Sequence, residues 1–505
     1  MAFTTDEAFR KYTDAETFSK IIEYESVSEM WEKCIADYAD LNAVNFDGKQ
    51  YTFRQIEDDA ASFRDVLEKN GIKKQRLGLL CANSYDFVKA FIAITTSGNS
   101  AVILPPHLDE TSVFGCSMQI GFKTIIAQDA LEEKTSLAKN KGIKIIRTSE
   151  TSEKKIPLSK DVNGDDECVL MFTGGTTGKS KAAVLNNRAV MQGTKNGCYA
   201  YKDVFHQKYI LVLPLSHVFG LIRNLMTSLY TGSEIFICKN NKDMFKDIAS
   251  FKPTILVAVP AIVDMALKLS AQLGKNMFGP CMKYIISGAA SVSPYLITEC
   301  NKIGVTLLAG YGLTESANLV SGNPDNLEAP ESVGYFYPNQ EYRIENGELW
   351  LKGLNMLTRY VGNDLDNENA FEDGWFKTGD LVRIDEKGRL YITGRIKEII
   401  VLPTGENISP AEVEAKFYAL SMVQDCQIFE DIDERGNHFL ALEVLPRMSE
   451  LEKTSSEDKN DYLLKELEKI NASLPSFQRV SKITLRTSDF ERTPSMKIKR
   501  YKKCN

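Results

Sequence analysis

Histidine and tryptophan are scarce, with 4 and 3 copies among 505 residues, so a His-rich metal centre has little to be built from. The ten cysteines stand singly, at 34, 81, 116, 168, 198, 238, 281, 300, 426 and 504. Without a CxxC pair or a Cys/His cluster, neither a zinc site nor a redox dithiol is indicated. So many unpaired thiols fit a reducing cytoplasm better than a secreted disulfide framework. A basic excess is also missing: the net charge is −7, which argues against a nucleic-acid binder. The longest apolar run, 209–222 (YILVLPLSHVFGLI), is interrupted by Pro214, Ser216 and His217; it is too short to span a bilayer. The N-terminus, MAFTTDEAFRKYTDAE, carries charges where a signal peptide needs an apolar stretch. What is present, 43% hydrophobic and 26% charged residues, is the balance of an ordinary soluble globular protein.

Short aliphatic runs alternate with helical stretches through the first two-thirds of the chain. RLGLLC at 76–81, DFVKAFIAITT at 86–96 and AVIL at 101–104 read as a strand, a helix and a strand. The alternation continues at 124–127, 143–147, 255–259 and 284–287. It implies helices packed on mostly parallel sheets, which bind ligands at the carboxyl ends of their strands. After about residue 340 the strands shorten and the turns contain glycine (ENGE, DEKGR), which reads as a small antiparallel or barrel-like region. A further unit with its own strands and helices comes after Arg395. Within it, 448–467 reads as a solvated loop leading into an amphipathic helix.

One segment has an evident chemistry. In LMFTGGTTGKSKAAVLN, 170–186, an apolar strand enters a loop rich in glycine, threonine and lysine. Glycines let a backbone approach phosphate oxygens, threonine hydroxyls add donors, and Lys179 and Lys181 can neutralise charge. A P-loop would need glycine at 173, where Thr173 stands, and a helix after the loop, where AAVL reads as a strand. The bland alternative is a glycine-rich hairpin turn.

Four further segments come in order: PLSHVFG (214–220), YGLTES (311–316), WFKTGDL (375–381) with GRIKEII (394–400), and RTPSMKIKR (492–500). Together with the loop they resemble the adenylate-forming superfamily of acyl- and aryl-CoA ligases, peptide-synthetase adenylation domains and firefly-type luciferases. The motifs are most similar to acyl-CoA synthetases and 4-coumarate–CoA-ligase-like enzymes. The resemblance implies an α/β fold with a large N-terminal domain, residues 1–395, and a smaller mobile α+β C-terminal domain, residues 396–505.

It also implies roles. Thr173, Gly174, Gly175, Thr176, Thr177, Gly178, Lys179 and Lys181 would bind ATP or AMP, with Gly288, Ala289, Tyr311, Gly312, Asp380 and Arg395. Thr314 would contact phosphate. Glu315 would hold Mg²⁺, since a carboxylate beside phosphates is repulsive unless a cation intervenes. Tyr311 would lie against adenine and Asp380 would accept the ribose hydroxyls. His217 would gate the passage between ATP and acyl pockets, Lys397 would be the hinge, and Gly405 would leave room for the pantetheine of CoA. Lys497 would be the lysine brought to the carboxylate and α-phosphate. The chain departs from the family at Met496, where glycine is usual.

The expected activity is ATP-dependent conversion of a carboxylic acid to an acyl-adenylate and then to acyl-CoA, with ATP, Mg²⁺ and CoA required. Alternatives are an acyl-AMP ligase loading an acyl carrier protein, a non-catalytic adenylate-binding relative, a luciferase-like oxygenase and, last, a P-loop kinase or ATPase. The apolar context of PLSHVFGLI favours an apolar acid. Arg223, on the helix that should come next, could face an acidic substrate tail, but a surface position is the favoured reading. Six basic residues between Arg492 and Lys503, with no acids among them, would work against the phosphates of ATP or CoA.

Overall fold

The computed structural model describes residues 5–10, 13–173, 181–199, 201–362, 364–402, 406–492 and 498–500. Two large sheets carry the N-terminal domain. The first has nine strands. Its centre, Glu234–Ile237, Lys208–Leu211, Ile255–Ala258, Tyr284–Ser287 and Thr306–Leu313, is parallel throughout. The second has seven strands, with Ser100–Leu104, Arg76–Leu80, Thr124–Ala127 and Lys144–Arg147 parallel. Runs such as Ile255–Ala258 are buried along their whole length, as strands covered by helices on both faces must be. The connecting helices start at sequence-encoded caps. Ser84 accepts the Phe87 N–H at Tyr85–Thr95, and Thr52 and Gln55 form a reciprocal capping box at Phe53–Lys69.

The expected small β region is a five-stranded antiparallel sheet that includes Glu348–Lys352, Trp375–Ile384 and Leu390–Arg395. The smaller C-terminal domain has a three-stranded sheet, Val423–Ile432, His438–Pro446 and Lys482–Leu485, against helices Pro410–Tyr418 and Lys459–Ser473. Its core, with Val413, Phe417, Leu442, Leu463 and Leu467, is separate from that of the large domain.

Two further expectations can be set against the fold. The polar stretch 448–467 does lead into the expected helix, with one short element before it. Met448–Leu451 forms a short helix because Leu451 is buried, and the long helix begins at Lys459, where Asp458 accepts the Asp461 N–H. In the described part of the basic end each cation has an acidic partner. Arg492 pairs with Asp425 at 2.6 Å, Lys499 with Glu491 at 3.3 Å, and Arg500 with Glu414 and Glu398, each at 2.8 Å. These acids belong to the same domain; Lys497, Lys502 and Lys503 lie outside the described residues. Among the described residues no helix is long and apolar enough to cross a membrane.

Candidate functional site

Strands Glu167–Thr173 and Lys181–Asn186 are antiparallel, with Thr173 opposite Lys181. The segment between them is therefore the connection of a hairpin, and it leads into a strand rather than into the helix of a P-loop. Gly174, Gly175, Thr176, Thr177, Gly178 and Lys179 lie outside the described residues. Strand Arg359–Val361 pairs with Lys181–Asn186 and brings Tyr360 beside the hairpin's base. The Lys181 ammonium lies 5.0 Å from the Tyr360 ring centre and 2.7 Å from Asp366. The Tyr360 hydroxyl donates to Glu315 at 2.7 Å.

Glu315 and Thr314 sit on a single turn, Thr314–Ser316, at the end of strand Thr306–Leu313. Burial pushes the Glu315 carboxyl above the usual carboxylate range, against the downward pull of the Tyr360 hydrogen bond. A carboxylate in that environment fits a divalent cation, whose charge would restore the ionised form. Among the described residues no three His, Cys, Asp or Glu side chains converge, so the ion's remaining ligands would be phosphate oxygens and water.

Tyr311, on the same strand, donates to Asp380 at 2.5 Å. Asp380 is 1% exposed, and its other oxygen lies 2.7 Å from the Arg395 Nε across the strand pair that carries both residues. The neighbouring Asp380 raises the Arg395 pKa, and burial raises that of Tyr311. Glycine is required where strands meet. A methyl at Gly312 would come within 2.2 Å of the Asn318 carbonyl oxygen, and one at Gly288 within 2.9 Å of the Gly310 oxygen. Ala289, immediately after Gly288, is in the left-handed region at φ 64°. Strain of this kind in a non-glycine residue concentrates at ligand loops.

The loop carrying His217 is held from the second sheet. Asn83 donates to the Leu213 carbonyl and accepts the Leu215 N–H, both at 2.8 Å. The Phe219 N–H donates to His217 Nδ1 at 3.2 Å, so a neutral ring carries its proton on Nε2. Phe219–Met226 is a stretch of π-helix, a rare element often found at functional sites. The surface expectation for Arg223 is wrong. Its side chain is 1% exposed, because the wide π turns on which it lies are themselves enclosed by sheet and helices.

Lys397 is exposed on the turn Ile396–Glu398, while Lys497 and Gly405 lie outside the described residues. Sequence reasoning misses Tyr360, Asp366 and Asn83. They lie in no motif, and their positions depend on strand pairing between distant segments.

The family model described as "AMP-binding enzyme" matches residues 31–361, and that described as "AMP-binding enzyme C-terminal domain" matches residues 397–504. The chain belongs to the AMP-binding enzyme family. An oxalate–CoA ligase of Arabidopsis thaliana is 31% identical over 301 residues, 56% of this chain and 58% of the relative. A 2-succinylbenzoate–CoA ligase of Bacillus velezensis is 28% identical over 404 residues, 76% of this chain and 81% of the relative. Among solved structures, an anthranilate CoA ligase in complex with anthranoyl-AMP superimposes with a TM-score of 0.80 at 19% identity, covering 95% of this chain and 96% of that one. This last likeness establishes an AMP-binding enzyme fold and does not bear on the acid.

Proposed function

We propose that this AMP-binding enzyme is an AMP-forming acid–CoA ligase. The observation that carries the reading is the constellation of buried Tyr311 and Asp380 with the partly exposed Arg395, beside Glu315 and the hairpin base, within a chain of this family. In the first step a carboxylate oxygen attacks the α-phosphorus of ATP, the bond to the β-phosphate oxygen breaks, and pyrophosphate leaves. Arg395 orients one Asp380 oxygen and Tyr311 the other, and a carboxylate so oriented has further lone pairs with which to accept ribose hydroxyls. Thr314 and the 173–181 loop would hold phosphates. Glu315 would hold Mg²⁺, which supplies charge neutralisation for the leaving pyrophosphate. Lys497 would neutralise charge developing at the α-phosphate, so catalysis is mainly positioning and electrostatics.

In the second step the CoA thiolate attacks the acyl carbonyl, the bond to the AMP oxygen breaks, and AMP leaves. The C-terminal domain, residues 396–505, would pivot at Lys397 to withdraw Lys497 and admit the pantetheine past Gly405. A carrier-protein pantetheine is the alternative acceptor. The relatives are named for acids as different as oxalate, 2-succinylbenzoate and long-chain fatty acids, so the acid must be read from this chain's own residues.

The test is a panel of carboxylic acids scored for pyrophosphate release, with and without CoA, and for thioester by mass spectrometry. AMP, pyrophosphate and an acyl-CoA are expected. ADP as product, or no pyrophosphate with any acid, would refute the ligase reading. An acyl-adenylate that is never transferred to CoA but is transferred to a carrier protein would move the acceptor to the alternative.

A further inference from the structure

Arg223 is among the largest fully buried side chains. Its Nη2 is 3.5 Å from the Tyr201 hydroxyl, and its Cζ lies 5.8 Å from that ring's centre. Its Nε and Nη1 have no hydrogen-bond partner among the described residues. The titratable groups facing it are the hydroxyls of Tyr201, Tyr209 and Tyr337, with the thiol of Cys198. No carboxylate is among them. A guanidinium does not lose its proton inside a protein. An enclosed charge without a counter-charge or a full set of hydrogen bonds is strongly unfavourable, and a methionine of similar length would fold better there.

The position connects this charge to the candidate site. Arg223 follows Phe219 by one turn of the π-helix, and a methyl added at Gly288 would lie 3.6 Å from the Phe219 ring. Ser287, immediately before Gly288, is fully buried, and its hydroxyl is also without a partner among the described residues. Of these two unpartnered buried polar groups, Ser287 precedes the glycine that the Phe219 ring approaches, and Arg223 is one turn on from Phe219 along the π-helix. Asn224 faces elsewhere, donating to the Ile210 carbonyl at 3.1 Å.

We infer that the acid activated by this enzyme carries a second carboxylate, and that Arg223 receives it at the end of the acyl site remote from the adenylate. The inference rests on the ligase reading and replaces the expectation of an apolar acid. A planar guanidinium with unpartnered Nε and Nη1 donors matches a carboxylate bidentately. The same charge would reject an apolar tail, because burying that tail would leave the guanidinium unpaired.

The experiment compares matched acids: butanoate with butanedioate, hexanoate with hexanedioate, and benzoate with benzene-1,3-dicarboxylate, each by kcat/KM for pyrophosphate release. In the wild type the best substrate is a diacid, favoured over its monoacid by at least about 100-fold. Arg223→Met inverts that ratio and raises activity on the monoacid, while Arg223→Lys retains part of the diacid preference. A wild type that prefers monoacids in every pair overturns the inference and leaves the ligase reading intact. An unchanged ratio in Arg223→Met also overturns it. No pyrophosphate from any acid refutes the ligase reading and the inference with it. If Arg223→Met fails to fold, the wild-type ratios decide alone.

Discussion

The guanidinium of Arg447 lies 4.0 Å from the ring centre of Tyr295, across the seam between the two domains. It also pairs with Asp264 and donates to the Ser421 carbonyl at 3.1 Å, and only 2% of its side chain is exposed. Tyr295 in turn donates to Glu450 at 3.1 Å, and Lys268, paired with Asp264 at 2.9 Å, reaches Gln424. Helices Pro260–Leu273 and Pro294–Lys302 therefore clamp the C-terminal domain in this orientation through one buried cation.

Arg447→Met should weaken the clamp. Asp264 keeps its pair with Lys268 at 2.9 Å, so the cost is that of a lost charged hydrogen bond, about 2 kcal/mol. A lower midpoint in urea denaturation and faster tryptic cleavage after the exposed Lys397 are expected. Equal cleavage rates in variant and wild type would contradict the clamp.

Tyr360→Phe should shift the acid limb of activity. Glu315 already titrates above the usual carboxylate range because of burial, and the Tyr360 hydroxyl holds it down. A raised carboxyl pKa means that the ionised form that would hold Mg²⁺ is lost at a higher pH than for an ordinary glutamate. Removing the hydroxyl raises that pKa further, so the limb of kcat/KM for pyrophosphate release moves upward, and excess Mg²⁺ moves it back. A limb that does not move would detach Tyr360 from the metal.

Asp380→Asn should be far more damaging than Tyr311→Phe. The first leaves Arg395 facing an amide and removes the anionic acceptor; the second removes one hydrogen bond to a charged acceptor, worth about 2 kcal/mol. An ATP KM raised at least about 10-fold in Asp380→Asn, with a smaller change in Tyr311→Phe, is the expected result of steady-state titration. Comparable KM values in the two variants would count against ribose binding at Asp380.

Gly312→Ala tests the close approach of two strands. The added methyl would meet the Asn318 carbonyl oxygen at 2.2 Å, and backbone atoms cannot swing aside as a side chain can. A loss of about 1–3 kcal/mol is expected from this overpacking, together with loss of pyrophosphate release because Thr314 and Glu315 come directly after that strand. A variant as stable and active as the wild type would show that the strands can separate at no cost.

The alternation of short apolar runs with helical stretches is enough to read the parallel sheets, because both periodicities are local. Strand Thr124–Ala127 and strand Tyr284–Ser287 fall where their sequences place them. The ordered motifs likewise carry the family, since each is a contiguous string. Arg223 is misread from sequence for a physical reason. Whether a charged residue faces solvent, a counter-ion or nothing depends on which distant segments fold against it. Local composition does not encode that.

By itself, then, the sequence determined the class of fold, the AMP-binding family, and the residue types available to nucleotide, metal and acid. Only the tertiary structure decided how those residues are used. Pairing of 359–361 with 181–186 put Tyr360 between Lys181 and Glu315. Pairing of Trp375–Ile384 with Leu390–Arg395 set Arg395 against Asp380. Enclosure of a π-helical stretch left Arg223 as a buried charge with no anion among the described residues. The physical reason is that hydrophobic periodicity acts between neighbours in sequence, whereas charge compensation acts between neighbours in space.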